Sequence, residues 1–127
     1  PGNLIETTRV SCLKSIRMKN INRVIIAQIN INSIRNKFEI LSGLINGNID
    51  VLLITETKLD SSFPITQFLI EGFSPSYRLD RNSYGGGLLL YIREDIPSKA
   101  INGLGFNIEA FFVELNLRKK MASSMFL

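Results

Sequence analysis

The sequence contains no histidine, no tryptophan and only one cysteine, Cys12. Without histidine, the chain has no imidazole to act as a general acid or base near neutral pH. A single cysteine excludes an intrachain disulfide and a cysteine-rich zinc site, so we expect a reducing, intracellular setting. Apolar runs are also short, well below the ~18 residues of a membrane span, and no membrane partner is expected.

The composition is that of an ordinary globular domain. The 127 residues are 45% hydrophobic and 20% charged, which suffices for one domain with a core of its own. A net charge of +4 arises from 15 Lys and Arg against 11 Asp and Glu. This balance mildly favours a polyanionic partner such as nucleic acid, although many basic proteins of this size bind no polyanion.

The first 21 residues differ from the rest of the chain. They show no sustained apolar period, and against a single acid, Glu6, they carry the cations Arg9, Lys14, Arg17 and Lys19. This pattern predicts a basic leader that is loosely ordered and solvated. The folded domain is then expected to span residues 22–127.

Two apolar segments, residues 23–30 and 50–56, predict buried strands of a parallel sheet. Between them, Ser33 is placed to cap a helix whose apolar residues recur every three or four positions, and Gly47 is placed to end it. The expected unit is β-α-β with parallel strands, so the predicted fold class is α/β. Further strands are predicted at residues 77–81, 88–92 and 107–117, with a short final one at 121–127.

The two apolar segments end in Asn30 and Glu56. Because adjacent parallel strands emerge at one edge of a sheet, where open α/β sheets bind ligands, we expect these side chains to lie together. A carboxylate there suits Mg²⁺, which binds one or two protein carboxylates plus water and phosphate, and the Asn30 amide suits a phosphate oxygen. Two other interpretations stay open: Glu56 faces water or pairs with Lys58, and Asn30 starts the following loop.

Basic and aromatic residues lie near this predicted edge. Tyr84 suits stacking on a base or sugar, or a half-buried structural place. Gly85-Gly86-Gly87 precedes a strand and lacks the following Lys-Ser/Thr and helix of a P-loop, so its expected role is close backbone approach. Five cations in or next to the loops suit contacts with a nucleic-acid backbone, or ordinary surface salt bridges: Arg35, Lys37, Lys58, Arg78 and Arg81.

Four segments carry a resemblance to a known family. They are residues 28–37 (QININSIRNK), 54–59 (ITETKL), 77–81 (YRLDR) and 85–95 (GGGLLLYIRED), in the same order as in that family. From Asn22 to Lys120 the chain resembles the endonuclease domain of non-LTR retrotransposons, a branch of the endonuclease/exonuclease/phosphatase superfamily. The resemblance implies a four-layer α/β sandwich, of which this chain is the N-terminal half, and Mg²⁺-dependent nicking of DNA.

The same resemblance assigns roles to single residues. It implies that Glu56 is the metal ligand and that Asn30 is a second catalytic residue near the metal and the scissile phosphate. It also implies that Arg81 and Tyr84 line the DNA groove, and that Glu114 is either structural or supports the residues that contact the metal. The rim cations Arg35 and Lys58 are the further DNA contacts we expect. In a full-length element, a downstream reverse transcriptase domain and a nuclear location would follow.

The sequence departs from the family at its later motifs. The family's catalytic Asp and Asn after the next strand, and its Ser-Asp-His segment, have no counterparts before Leu127. Because such groups act as a unit with the metal, we expect a fragment that has lost nearly all activity on its own. A noncatalytic remnant that binds nucleic acid is the alternative. A half-domain also leaves strand faces without a partner sheet, which predicts poor solubility, self-association or partial order.

Overall fold

The computed structural model describes residues 12–101, 110, 112–118 and 120–127. One short 3-10 helix, Ile65–Phe68, lies in the long connection after the second strand. In chain order, the helices and strands of these residues are α1 (residues 12–19), β1 (Val24–Asn30), α2 (Phe38–Ile45), β2 (Val51–Thr55), β3 (Tyr77–Leu79), β4 (Leu88–Ile92), β5 (Ser98–Ile101), β6 (Phe112–Leu115) and β7 (Ala122–Phe126).

Five of the strands form one mixed sheet in the order β3-β4-β2-β1-β7. β1 runs parallel to both β2 and β7, whereas β4 runs antiparallel to β2 and to β3. Strands β5 and β6 pair antiparallel in a separate two-stranded sheet. The protein is therefore mixed α/β, and the predicted β1-α2-β2 unit with parallel strands is confirmed.

The five-stranded sheet separates two apolar layers. On one face, alternate residues of β1, β2 and β4 pack with Leu13 of α1 and with Leu41 and Ile45 of α2. On the opposite face, the first residues of β1 and β2 pack with Val113 and Leu115 of β6. Burial on both faces explains why segments 23–30 and 50–56 are continuously apolar rather than alternating.

Helix α1 corrects the prediction of a loosely ordered leader over residues 1–21. Residues 12–19 are helical, Leu13 is buried, and Arg17 forms an ion pair with the buried Asp50. The sequence pattern misled because this helix presents only a narrow apolar side, and because the partner of Arg17 is distant in the chain. Residues 1–11, the rest of the predicted leader, lie outside the described part.

The start of α2 also differs from the prediction. The helix begins at Phe38 with Lys37 as its N-cap, and no side chain caps it. Ser33 has a left-handed φ of 80°, and its N–H donates to the Glu56 carbonyl at 2.8 Å, so it belongs to the loop rather than to the helix. Gly47, with φ of 75°, follows the end of the helix as predicted.

Most of the remaining strands lie where the sequence predicted them, namely β3, β4 and β7. Of the predicted strand 107–117, the structure shows β6, while residues 107–109 and 111 lie outside the described part. Strand β5 was not predicted, because it follows Pro97 and its residues are mostly exposed. Neither helix within the described residues is long and apolar enough to cross a bilayer.

Candidate functional site

The parallel pairing of β1 and β2 brings Asn30 and Glu56 to one edge of the sheet. Asn30 is the register partner of Thr55, the residue immediately before Glu56. The two chains stay bonded beyond the strands, because the N–H of Ile31 donates to the Thr55 carbonyl at 3.0 Å and that of Ser33 to the Glu56 carbonyl at 2.8 Å. The predicted meeting of the two strand ends is therefore present in the backbone.

The side chains of these two residues have different partners. Asn30 is exposed, and its Oδ1 accepts a hydrogen bond from the backbone N–H of Asn32 at 3.2 Å. This contact is the loop-starting role that the sequence left open for Asn30. Asn30 also borders an apolar cavity of about 390 Å³ whose other lining residues are leucines and isoleucines, and Glu56 is not among them.

Glu56 is half-buried and held by the glycine-rich loop. Its Oε2 accepts a hydrogen bond from the N–H of Gly86 at 3.1 Å. Its φ of 57° and the φ of 55° at Lys58 lie in the left-handed region, which is uncommon for side chains of this kind. The N–H of Lys58 donates to the Gly86 carbonyl at 2.9 Å. Strained backbone that is fixed by neighbouring loops is typical of functional sites.

Gly87 is the closest point between these loops. A Cβ atom at this position would lie 2.1 Å from Oγ1 of Thr57, and its φ of 99° disfavours any other residue. Thr57 is fully buried, and its Oγ1 finds no hydrogen-bond partner among the described residues. The glycines thus allow close approach to the neighbouring strand end, which is the role the sequence predicted.

The cations Arg35 and Lys58 join the loops of this edge to one another. Nη2 of Arg35 donates to the carbonyls of Lys58 at 3.0 Å and Ser83 at 3.4 Å, and its guanidinium lies 4.9 Å from the centre of the Phe63 ring. Nζ of Lys58 donates to Oδ1 of Asn32 at 2.5 Å. Both side chains therefore lie at the predicted edge, with protein partners already in contact.

Two further cations of the predicted rim are structural. Nζ of Lys37 donates to the Ile31 carbonyl at 2.8 Å and so closes the loop before α2. Arg78 forms a two-pronged ion pair with Asp80, with Nη2 to Oδ2 at 2.8 Å, and also donates to the carbonyls of Asp60 and Phe63. With these donors committed, Arg78 fixes the connection after β2 instead of facing a ligand.

Arg81 and Tyr84 lie in the turn that leads to the glycine-rich loop. Oδ1 of Asn82 accepts the N–H groups of Tyr84 at 2.9 Å and Gly85 at 3.1 Å, which fixes the turn. The Tyr84 side chain is 91% exposed. The Arg81 guanidinium packs beside Gly85, since a Cβ there would meet its Nη2 at 2.7 Å. The exposure of Tyr84 therefore rules out the alternative of a half-buried structural position.

An ion cluster that no sequence pattern predicted lies around Asp50, at the end of the strands opposite to Glu56. Asp50, which is 2% exposed, accepts hydrogen bonds from Arg17 at 2.6 Å, from Arg93 at 2.5 Å and from the N–H of Ile25 at 2.8 Å. Arg93 also binds Asp95, and its hydrogen bonds hold the pKa of Asp95 below its usual value. A buried acid between two arginines is a structural device here, because a bare carboxylate is costly to bury.

Glu56 is the acid that the sequence placed at the carboxyl edge of β1 and β2. No group of three or more His, Cys, Asp or Glu side chains is placed to hold a metal within the described residues. Glu56 offers a single carboxylate, which suits Mg²⁺ only where water and substrate phosphate complete the coordination. Comparison with known proteins adds no relative: no protein-family model and no curated protein sequence matches the chain.

Proposed function

We propose that this chain belongs to a magnesium-dependent DNA endonuclease domain of the non-LTR retrotransposon kind, with its substrate side at the carboxyl edge of β1 and β2. The reaction is hydrolysis of one phosphodiester bond, which nicks the DNA. The four-layer sandwich, the downstream reverse transcriptase and the nuclear location that the resemblance implies are part of this proposal. The mixed sheet, with helices on one face, is compatible with half of such a sandwich.

The observation that carries the proposal is the hydrogen bond from Gly86 to Glu56. It joins two of the segments on which the resemblance rests, and the register of β1 and β2 brings the segment of Asn30 to the same place. Gly86 lies 30 residues after Glu56 in the chain, and Glu56 lies 26 residues after Asn30. One edge of the sheet therefore brings together segments of the resemblance that lie far apart in the chain.

Glu56 fits the role of a metal ligand in part. Its carboxylate is held in place by Gly86 and by the fixed backbone of residues 56–58, so one ligand is preorganised. Bound there, Mg²⁺ would polarise the scissile phosphate and stabilise the charge that develops on it. Asn30 supplies an uncharged amide at the next strand end, which orients a phosphate oxygen without repelling it.

The surrounding cations provide the contact with the DNA backbone. Lys58 and Arg35 lie on the loops that flank Glu56, and Arg81 lies on the turn before the glycine-rich loop. The exposed ring of Tyr84 on that turn suits stacking on a base or sugar. Contacts of this kind position the duplex and make affinity depend on salt.

The test of this interface is binding of a short labelled DNA duplex, followed by fluorescence anisotropy at several salt concentrations. We expect Lys58→Ala to weaken binding several-fold. It should also reduce the slope of log K against the logarithm of the salt concentration by about one, the effect of one lost phosphate contact. Arg23→Ala is the matched control, because exposed Arg23 precedes β1 at the opposite end from Asn30. Equal losses in both variants would contradict the proposed interface.

A second candidate function is noncatalytic binding of nucleic acid by the same basic edge. It is favoured by the absence of histidine from the chain, and by the fact that no three metal-ligating side chains lie together among the described residues. Nicking of supercoiled plasmid in Mg²⁺ separates the two. Weak nicking that Glu56→Gln abolishes supports the endonuclease, whereas DNA binding without nicking, unchanged in Glu56→Gln, supports the noncatalytic function.

A further inference from the structure

We propose that two copies of this chain associate through β7, which pairs antiparallel with β7 of the second copy about a two-fold axis at Ser124. The five-stranded sheets of the two copies then become one continuous sheet. This inference does not depend on the proposed function, because β7 lies outside the segments that form the candidate site. It names a surface and its partner, a second copy of the same strand.

Among the described strands, β7 lies at the edge of the five-stranded sheet and pairs only with β1. The N–H of Val24 donates to the Met121 carbonyl at 2.9 Å, and the N–H of Leu127 donates to the Gln28 carbonyl at 2.8 Å. Backbone groups of successive residues in a strand point to opposite sides. The N–H and C=O groups that point toward β1 are therefore those of Met121, Ser123, Met125 and Leu127. Ala122, Ser124 and Phe126 then direct their N–H and C=O groups away from the sheet, where no described strand pairs with them.

The outward groups match themselves under a two-fold rotation. With Ser124 opposite Ser124 of the second copy, Ala122 lies opposite Phe126, and Phe126 opposite Ala122. Every outward-directed residue thus meets another outward-directed residue, and each pair exchanges both of its N–H···O bonds. A register shifted by one residue would oppose outward groups to inward ones. A shift by two residues would leave Ala122 or Phe126 without an opposite residue in β7, so the pairing about Ser124 uses the most outward groups.

The side chains of β7 complement one another in the same register. Phe126 is 83% exposed and Ala122 is exposed, and both stand on the sheet face that carries Val24 and Gln28, because the register pairs them with those residues. In the pairing, each phenyl ring covers a small alanine on the neighbouring strand. Cross-strand pairs of an aromatic with a small apolar residue remove the ring from water.

Strand β7 also lacks the features that normally block edge pairing. Its five residues include no charge and no proline. The other edge of the sheet, β3, has only three residues, and one of them is Arg78, paired with Asp80. Short, charged strands are the usual protection of an edge, so β3 is protected and β7 is open. An uncharged strand also meets its own copy without repulsion between like charges.

The experiment is sedimentation equilibrium of the full 127-residue chain, compared with Ser124→Pro and with Ser124→Ala as its matched control. A single strand pairing buries a small area, so we expect a weak dimer that forms between about 10 μM and about 1 mM. Proline removes the outward N–H of residue 124 and obstructs the edge, whereas the ladder to β1 uses residues 123 and 125. The dissociation constant should rise at least about tenfold in Ser124→Pro and stay within about twofold in Ser124→Ala.

Amide hydrogen exchange of the unmodified chain is the second readout and does not depend on how the proline variant folds. As protein concentration rises, the amides of Ala122, Ser124 and Phe126 should exchange more slowly, while those of Ser123 and Met125 should not change. A monomer at all concentrations, or a dimer that leaves the first three amides unprotected, would overturn the proposal. So would a folded Ser124→Pro variant that dimerises like the original chain.

Discussion

At the scale of single residues, Gly87 is a position where the structure leaves no room for a side chain. A Cβ atom there would lie 2.1 Å from Oγ1 of Thr57, and the φ of 99° is strained for other residues. We expect Gly87→Ala to lower the free energy of unfolding by about 3 kcal/mol, from left-handed strain and forced displacement of Thr57. Urea unfolding measures this change.

Gly43 provides the control for that substitution. It lies within α2, and a Cβ atom there would meet nothing within 4 Å. Gly43→Ala should therefore raise stability by about 0.5 to 1 kcal/mol, because alanine loses less entropy in a helix. If both variants changed stability alike, the close contact between Gly87 and Thr57 would be refuted.

The buried Tyr91 makes the stability of the fold depend on pH in the alkaline range. The ring is buried, its hydroxyl donates to the Phe68 carbonyl at 2.6 Å, and burial raises the pKa of Tyr91 above its usual value. A raised pKa means that the unfolded chain loses the proton first, so this stabilisation is present below about pH 10 and is lost as pH rises further. Tyr91→Phe should cost about 1 kcal/mol at pH 7 and flatten the decline above pH 10.

Urea unfolding at pH 7 and at pH values about one unit below and above the usual tyrosine pKa checks this expectation. Tyr84→Phe is the control, because that side chain is 91% exposed and is not part of the core around Tyr91. A decline above pH 10 that is as steep in Tyr91→Phe as in the unmodified chain would show that another group is responsible.

Individual site residues were predictable where a local pattern marked them. Asn30 and Glu56 end continuous apolar runs, and a polar residue there stands out in the sequence alone. The role of Asp50 was not predictable, because its arginine partners lie 33 and 43 residues away. The contacts of Arg78 were hidden for the same reason, since two of them are carbonyls in the long connection after β2.

At the scale of helices and strands, the period of apolar residues predicted the elements whose position depends on burial in the core. The apolar runs of β1 and β2 and the spacing in α2 were sufficient for the β-α-β unit. The start of α2 was not predictable from Ser33, because the Glu56 carbonyl accepts its N–H and holds it in the loop. Helix α1 was missed because its attachment depends on Asp50, a buried acid on a different element.

That attachment gives a prediction for α1. Arg17 is 16% exposed and donates to Asp50 through Nη2 at 2.6 Å, so its removal leaves the buried acid with one arginine fewer. Arg17→Ala should lower the free energy of unfolding by about 2 kcal/mol. Lys14→Ala, on the exposed side of the same helix, should stay within about 0.5 kcal/mol. Urea unfolding decides, and equal effects of both variants would exclude Arg17 as the anchor of α1.

At the scale of the whole molecule, the order of the strands in the sheet could not be predicted from the sequence. The placement of β4 antiparallel to β2, and of β7 parallel to β1, depends on strand registers across distant parts of the chain. What the sequence did predict is that the strand ends after β1 and β2 meet at one edge, and there the loops of residues 30–35, 56–58 and 82–87 are bonded together.

The most direct measurement of the proposed chemistry is the effect of Mn²⁺, a paramagnetic substitute for Mg²⁺, on the amide resonances of the isotope-labelled chain. Small amounts of Mn²⁺ should broaden the signals of Ser33, Glu56 and Gly86 first. Glu56→Gln should abolish this broadening, because the amide still accepts the Gly86 hydrogen bond but no longer carries the charge. Broadening that is absent at this edge, or that persists unchanged in Glu56→Gln, would contradict a metal-dependent site at Glu56.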